Sequence, residues 1–415
     1  MGAIDTTGPV SGSDRIAELD VLRGIALFGV LTMNFVYFAS GGQLATAAQL
    51  AALPSANADW WAYNAVRLFI GDKANTVFAT LFGLGFYLQM KRGEGHPGFE
   101  QRYRRRLFWL LMFGVFNVFF LWFGDILNLY AVAGFALLAM RRWRTRTLVI
   151  VGSIAALYSH NLQEWLFGLV NFHPIPEWLY SDAVVLERQS VAIGDDYGAI
   201  VALFARWTWI EWLAGGMMAA WLVYAVGRFA LGAAIGRSGI LDDIPRFVPL
   251  LRRIAWLALP AGLVAGLAIR LVLDEVIVLP GDLETWKAIA QSLRSPAALL
   301  LAAGYCAGIV VALQRGWGQR LFGIFAPVGR MALTNYLAQG LIYAFILFGV
   351  GPGLGLAGRI GSAAVVAICI AFFAFQTAFS HWWLARYRFG PMEWLWRTLT
   401  YGQRPTMRRT LAQPA

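Results

Sequence analysis

Charged residues are scarce in this chain of 415 residues: Asp, Glu, Lys and Arg make up 14% of it, whereas 59% of the residues are hydrophobic. Soluble domains carry about 25% charged and about 45–50% apolar residues. A water-soluble enzyme of this composition would have too little polar surface to cover its core. The composition also excludes a disordered scaffold, a collagen-like chain and a coiled-coil fibre. It indicates a polytopic α-helical membrane protein.

Metal-binding and nucleotide-binding motifs are missing as well. The two cysteines, Cys306 and Cys369, lie in apolar runs, where a thiol is more often a packing residue than a metal ligand or half of a disulfide. The sequence has no CxxC, HExxH or Cys/His cluster, no Walker loop, no GxSxG elbow and no GxGxxG in a βαβ context. We therefore expect no metal site.

The bases, by contrast, are in excess: the net charge is +11. They cluster in short segments between apolar runs, which is typical of membrane loops and unlike a nucleic-acid-binding surface. The sequence therefore predicts a lipid bilayer as partner and no nucleic acid.

Ten segments are apolar enough to span a bilayer, which takes roughly 20 mostly apolar residues. They are 16–39, 76–90, 107–123, 126–140, 147–170, 200–235, 254–279, 296–313, 327–350 and 360–385. The predicted fold is an all-α, polytopic transmembrane helix bundle without an internal repeat. A tail (1–15) precedes one transmembrane domain (16–385), which includes an outer loop (171–199), and a basic tail (386–415) follows.

The loops alternate between basic and base-poor along the chain. Segment 91–106 reads KRGEGHPGFEQRYRRR, and segment 141–146 reads RRWRTR. Segments 40–63 and 351–358 contain no Lys or Arg. The positive-inside rule then predicts a multi-pass membrane protein with both termini in the cytoplasm.

Polar groups inside predicted spans are costly in lipid and are candidates for a functional site. Arg23 at the start of the first span is either a snorkelling residue, a partner of Asp20, or an anchor for a phosphate group. Asn34, three turns later, bridges helices or orients a substrate carbonyl. Asp125, in the tight turn 124–125, either caps the following helix or acts as a general base. Asn117 lies about two turns before it on a similar face.

Further polar candidates flank the second and ninth spans. Arg67 precedes the second span, and the sequence leaves open whether it pairs with Asp125 or binds an anion. Arg330 and Asn335 recur at helical spacing with Gln339, which predicts a polar stripe facing protein or a cavity. In each case a structural hydrogen bond or ion pair is the alternative to a substrate contact.

Four segments carry a resemblance to a known family. They are LDVLRGIALFGVLTMNF (19–35), GDIL (124–127) with Tyr130, GRMALTNY (329–336) and FGPMEWLWRTLTYG (389–402). They match, in the same order, typical segments of the YeiB-like bacterial inner-membrane family, defined by domain of unknown function 418. The resemblance spans nearly the whole chain, and its first and last segments are the most specific.

The YeiB-like proteins are in turn similar to the transmembrane acyltransferases that include heparan-α-glucosaminide N-acetyltransferase. This resemblance implies an acyl donor such as acetyl-CoA entering from the cytoplasm and an acceptor on the far side. Arg23 would then mark the inner end of the site, and Asn34 would orient the reacting groups.

The chain departs from that pattern at two histidines. Family members often carry a His in the third helix shortly before GDIL, where this chain has Asn117, whose amide cannot act as a base near neutral pH. The heparan enzymes' reactive His has no counterpart in segment 35–63. Three alternatives follow: Asp125 does the proton transfer, this member has lost the chemistry, or the family is not catalytic in that way.

Two main function classes remain, beside a third in which the protein is a signalling or assembly partner within the membrane. In the first, an acyl group passes from a cytoplasmic acyl-CoA to a small-molecule, glycan or lipid acceptor, Asp125 deprotonates the acceptor, and Asn34 or Asn117 stabilises the oxyanion. Four arginines of the basic loop would hold the nucleotide phosphates: Arg102, Arg104, Arg105 and Arg106. In the second, the protein is a transporter or flippase for a small solute or lipid, without chemistry. The sequence leaves the assembly open, with a homodimer as one candidate.

Overall fold

The computed structural model describes residues 16–40, 43–94, 96–170, 179 and 181–409, and the side chains of 159–170 lie outside that description. Within these residues the chain is all-α, and its extended pairing is limited to one isolated bridge between Tyr387 and Arg408. The α-helices in chain order are α1 (Ala17–Ser40), α2 (Ala47–Ala51), α3 (Ala56–Ala65), α4 (Gly71–Gly93), α5 (Phe99–Phe120), α6 (Leu127–Ala139), α7 (Thr145–Val170), α8 (Asp182–Ile193), α9 (Tyr197–Trp207), α10 (Met217–Arg237), α11 (Ile244–Leu273), α12 (Leu283–Leu313), α13 (Gly316–Phe322), α14 (Ala326–Arg330), α15 (Ala332–Leu347), α16 (Ser362–Arg386) and α17 (Pro391–Tyr401).

Five of the described helices are long and apolar enough to cross a membrane: α1, α10, α11, α12 and α16. Shorter apolar helices include α15 and the first half of α7. The prediction of a helical transmembrane bundle is therefore confirmed. All ten predicted spans overlap helices, although the number that crosses the bilayer stays a prediction.

Several helix boundaries differ from the predicted ones for identifiable reasons. The eighth predicted span begins at residue 296, but α12 begins at Leu283, because the Asp282 carboxylate caps it by accepting a hydrogen bond from the Thr285 amide at 2.9 Å. The sixth span splits into α9, a π-helical segment (Thr208–Ala214) and α10. The break lies at Gly215–Gly216, where Gly216 adopts a φ of +68° that a residue with a side chain rarely tolerates.

Helix α1 lies at the centre of the bundle, in contact with α4, α14, α15 and α16. Its Leu27, Leu31 and Phe35 are fully buried. Helix α10 packs on α4 and α7, and α11 pairs with α12. Most of α11 faces outward, as expected of an apolar helix that contacts lipid.

The C-terminal segment returns to the bundle instead of trailing away. Helix α17 packs on α5 and α15, and its Trp396 indole donates a hydrogen bond to the Arg106 carbonyl at 2.9 Å. The end of the bundle where α1 begins and α17 lies is called the terminal end below, and the opposite end, where α1 finishes, is the distal end.

Candidate functional site

A cavity of about 280 Å³ opens at the terminal end between α1, α4, α5, α15 and α17. Its deep wall is apolar, with Phe78, Phe82, Leu110 and Leu127 among the lining residues. We call it the terminal cavity. Its shape and lining suit an amphipathic ligand with an apolar part inserted between the helices.

Five arginines and two carboxylates line the terminal cavity: Arg23, Arg92, Arg106, Arg330, Arg397, Asp20 and Glu393. Arg23 donates to Asp20 at 3.0 Å, so the predicted ion pair within α1 is present. The Arg106 guanidinium stacks over the Trp396 ring, with 3.6 Å between its carbon and the ring centroid. The positive excess makes this mouth favourable for phosphate or another anionic group.

Glu393 ties α17 to the start of α15. Its carboxylate accepts hydrogen bonds from the Leu333 amide at 2.6 Å, the Thr334 amide at 3.1 Å and the Thr334 hydroxyl at 2.6 Å. These amides belong to the first turn of α15, which has no cap from its own segment. A carboxylate from another helix therefore satisfies them and complements the positive end of the helix dipole.

A second cavity, of about 490 Å³, lies at the distal end between α1, α4, α11 and α12. We call it the distal cavity. Asn34 and Asn75 line it together with Trp212 and Trp221. Four cations also line it: Arg67, Lys73, Arg270 and Arg294. The polar segment GDKAN (71–75) forms the first turn of α4 at this wall.

A thin partition separates the two cavities. The Tyr336 hydroxyl, whose residue lines the terminal cavity, accepts a hydrogen bond at 3.2 Å from the amide of Ile126, which lines the distal cavity. The Tyr130 hydroxyl, on the terminal side, lies 3.5 Å from the carbonyl oxygen of Asn75, on the distal side. One layer of residues therefore divides two openings at opposite ends of the bundle.

Asp125 lies inside this partition, 1% exposed. Its carboxylate accepts hydrogen bonds from the Asn117 amide side chain at 2.8 Å and from the backbone amides of Leu127 at 2.9 Å and Asn128 at 3.3 Å. It also interacts with the Tyr336 hydroxyl. The capping interpretation therefore holds. The neighbours Gly124 and Ile126 line the distal cavity, whereas Asp125 itself lines neither of the two cavities.

The predicted site residues fall into three groups. Arg23, Arg106 and Arg330 meet at the terminal cavity, Asn34 and Arg67 line the distal cavity, and Asn117 and Asp125 are bonded in the partition. Arg67 contacts Asp274 at 3.8 Å, so its partner among the described acids is Asp274 and not Asp125.

The other predicted binding residues lie away from both cavities. Arg104 forms an exposed ion pair with Glu100 at 2.6 Å, and Arg105 is exposed. Arg102 is half-buried beside the same loop and does not line either cavity described above. The buried Asn335 donates to the Val328 carbonyl and the Ser380 hydroxyl at 3.2 and 3.1 Å. It ties α15 to α16, which is the structural role that the sequence left open.

Reasoning from single residues missed Tyr336, Glu393, Trp396 and Arg397 as members of the site. All four lie in the segments that carry the family resemblance, 329–336 and 389–402. Those segments meet the 19–35 and 124–127 segments around the terminal cavity and the partition. Their joint membership in these motifs was the signal that could have found them.

The described residues contain no group of three or more His, Cys, Asp or Glu side chains placed to hold a metal ion. The groups available for a ligand are cationic and hydrogen-bonding ones, chiefly arginines. They suit phosphates and carboxylates, which Arg recognises through paired N–H donors.

Comparison with known proteins gives the family. A family profile described as a protein of unknown function (DUF418) matches residues 235–403. "Uncharacterized protein YxaH" of Bacillus subtilis is 32% identical over 95% of this chain and 96% of its own length. "Uncharacterized protein YeiB" of Escherichia coli is 29% identical over 93% of this chain and 96% of its own length. No solved structure matches the chain. On these matches and on the motifs that surround the terminal cavity, the chain belongs to the YeiB-like DUF418 family of membrane proteins.

Proposed function

We propose that this protein is a membrane-embedded acyltransferase with a donor site at the terminal cavity and an acceptor site at the distal cavity. The observation that carries the proposal is the partition: hydrogen bonds of a single layer join the linings of two cavities that open at opposite ends of the bundle. Two substrates held on either side of one layer need to move only a short distance to react.

The terminal cavity has the features of a thioester site. Its arginines suit the phosphates of an acyl-CoA such as acetyl-CoA, and its apolar wall suits the pantetheine and acyl part. The positive-inside prediction places this end in the cytoplasm, where acyl-CoA is made. Arg106, Arg330 and Arg397 replace the exposed arginines of the basic loop as the preferred phosphate contacts.

The reaction is a direct transfer. An acceptor hydroxyl or amine attacks the thioester carbonyl, the C–S bond breaks, and the new C–O or C–N bond forms. Asp125 takes the acceptor's proton, which returns to the CoA thiolate as the free thiol forms. Because Asn117 already donates to Asp125, the role of orienting the acceptor or stabilising the oxyanion passes to Asn34 at the distal cavity.

The reaction requires the partition to open, since Asp125 is buried within it. Gly124, directly before Asp125, lines the distal cavity, and a rotation at Tyr336 would expose the carboxylate to both sides. Gating motions of this kind occur on microsecond-to-millisecond timescales in many enzymes.

A transporter or flippase is the second candidate, and the same two cavities favour it. Polar sites at opposite ends with a thin layer between them suit alternating access. Acyl-CoA dependence separates the two functions, because a transferase releases free CoA in proportion to product and a transporter does not.

The test is CoA release from acetyl-CoA and a cell-envelope extract by the full-length protein in nanodiscs. We expect Asp125→Asn, which keeps the capping acceptor, to reduce turnover by about 10²–10⁴-fold, the usual contribution of a general base. Arg206→Gln, an exposed residue of α9 paired with Glu187, is the control and should leave turnover unchanged. Equal turnover in wild type and Asp125→Asn would overturn the role of Asp125. Absence of turnover in a folded sample, with solute uptake by proteoliposomes, would favour transport.

A further inference from the structure

The distal cavity carries a positive excess that the acyl-transfer proposal does not use. Four cations line it, and the acids beside them are Asp72 and Asp274. The loops at this end are poor in bases, since segments 40–63 and 351–358 contain none. Four distal bases therefore meet in one cavity, although exposed ones such as Arg206 and Arg359 lie outside it.

The ion pairs in the distal cavity leave much of this charge unneutralised. Arg270 donates to Asp274 at 2.6 Å, but Arg67 is 3.8 Å from Asp274 and Arg294 is 3.5 Å from Asp72. Both longer contacts exceed the usual length of a charged hydrogen bond, about 2.7–2.9 Å. Each guanidinium has five N–H donors, so Arg67 and Arg294 keep donors for another acceptor.

The start of α4 lies at the same wall. Gly71, Asp72 and Lys73, the first residues of the 23-residue helix α4, line the cavity. A π-helical segment (Val66–Ile70) runs directly into α4, so the Gly71 amide already donates to the Val66 carbonyl, and Lys73 donates to the Arg67 carbonyl at 3.1 Å. The two arginine forks are therefore the groups at this wall that suit an oxyanion.

We propose that the distal cavity binds a phosphate-bearing molecule, with Arg67 and Arg294 around the phosphate. Four positive against two negative side chains leave an excess of two charges, which matches a phosphomonoester or diphosphate better than a singly charged diester. Trp212 and Trp221 line the same cavity and offer flat surfaces for the rest of the molecule.

Phosphate binding at the distal cavity does not depend on acyl transfer. The identification of the bound molecule as the acyl acceptor rests on the proposed function. The phosphate has two sources: a soluble phosphoester, or a lipid with a phosphomonoester head group that enters from the bilayer. The chemistry of recognition is the same in both.

Binding is measured without any acyl donor, on the full-length protein in nanodiscs. One arm uses pure phosphatidylcholine discs and titrates glycerol 3-phosphate or pyrophosphate by calorimetry. The other arm places phosphatidic acid, with phosphatidylglycerol as the diester control, in the discs and measures its enrichment in the protein's lipid shell by native mass spectrometry. Binding in the first arm identifies a soluble ligand, and enrichment of phosphatidic acid over phosphatidylglycerol in the second identifies a lipid.

Variants locate the site. We expect Arg67→Gln/Arg294→Gln to weaken phosphate binding at least 10-fold and Arg206→Gln, also a distal cation, to leave it unchanged. Arg330→Gln/Arg397→Gln removes two cations of the terminal cavity and should also leave it unchanged. Loss of binding in that double variant alone would place the phosphate at the terminal cavity and overturn the proposal. Absence of binding to the wild type in both arms would overturn it as well, whatever the outcome of the CoA-release assay.

Discussion

At the scale of single residues, the buried pair of Asn117 and Asp125 holds the partition together. The Asn117 amide donates to a carboxylate that also caps α6. An amide cannot take a proton near neutral pH. Any proton transfer at this point therefore falls to Asp125, and Asn117 acts as a positioning residue.

Asn117→Ala should destabilise the protein. The substitution removes the 2.8 Å hydrogen bond to the Asp125 carboxylate and leaves one buried carboxylate oxygen without this donor. The expected cost is about 1–3 kcal/mol in the free energy of unfolding. Thermal unfolding in detergent measures the change. Asn34→Ala, which alters a residue lining the distal cavity, is the comparison and should shift the midpoint much less. Equal midpoints for wild type and Asn117→Ala would contradict the structural role.

At the scale of helices, apolar run length was enough to locate the elements. The ten predicted spans all overlap helices, although the sixth is broken at Gly215–Gly216. Run length could not show that α12 extends back to Asp282 or that α17 folds onto the bundle, because caps and amphipathic surface helices are too polar for a hydropathy signal. It also could not show which helices meet, so Tyr336 and Glu393 were not predicted as site residues.

The α4–α10 crossing depends on glycine. A Cβ at Gly83 would lie 2.1 Å from the Phe229 carbonyl oxygen, which is rigid backbone of α10. We expect Gly83→Ala to lower the free energy of unfolding by about 1–3 kcal/mol through overpacking. Gly323→Ala is the matched control, because a Cβ added there would meet no atom within 4 Å and the backbone of Gly323 is right-handed helical. Comparable stability of the two variants would contradict the close crossing.

The docking of α17 should respond to pH. Burial raises the pKa of Glu393 above the ordinary value of about 4.3 that it has in the unfolded chain. Between the two pKa values the folded protein binds more protons than the unfolded one, so its stability falls as pH rises through that window. The Glu393→Gln variant cannot titrate there. We therefore expect the melting temperature of the wild type minus that of Glu393→Gln to be largest below about pH 4.3. The difference should decrease as the pH rises to the pKa of Glu393 in the folded protein, and it should be constant above that pKa. A pH-independent difference would contradict this.

At the scale of the whole molecule, the two cavities and the charge pattern define a direction across the membrane. The basic segments 91–106 and 141–146 belong to the terminal end, and the uncharged segment 351–358 belongs to the distal end. The positive-inside rule then predicts that the terminal end faces the cytoplasm, which would put the proposed donor site inside and the proposed acceptor site outside. This orientation follows from the loop charges alone, whereas the convergence of the four family segments required the folded chain.

Orientation is testable with single cysteines. Leu354→Cys, at an exposed distal position, should react with a membrane-impermeant maleimide in spheroplasts, and Gln403→Cys, exposed at the terminal end, should react only after lysis. The parent chain, whose Cys369 is buried and whose Cys306 lies in α12, provides the background. The opposite labelling pattern would invert the proposed direction of transfer.

The most direct test of the account is the location of the acyl donor. A photoreactive acyl-CoA, cross-linked to the wild-type protein in nanodiscs and mapped by peptide mass spectrometry, should label the walls of the terminal cavity around Leu107, Leu110 and Phe78. Unlabelled acetyl-CoA should compete for this labelling, and Arg330→Gln/Arg397→Gln should weaken it. Labelling confined to lipid-facing positions of α11, without competition, would contradict an acyl-CoA site in this cavity.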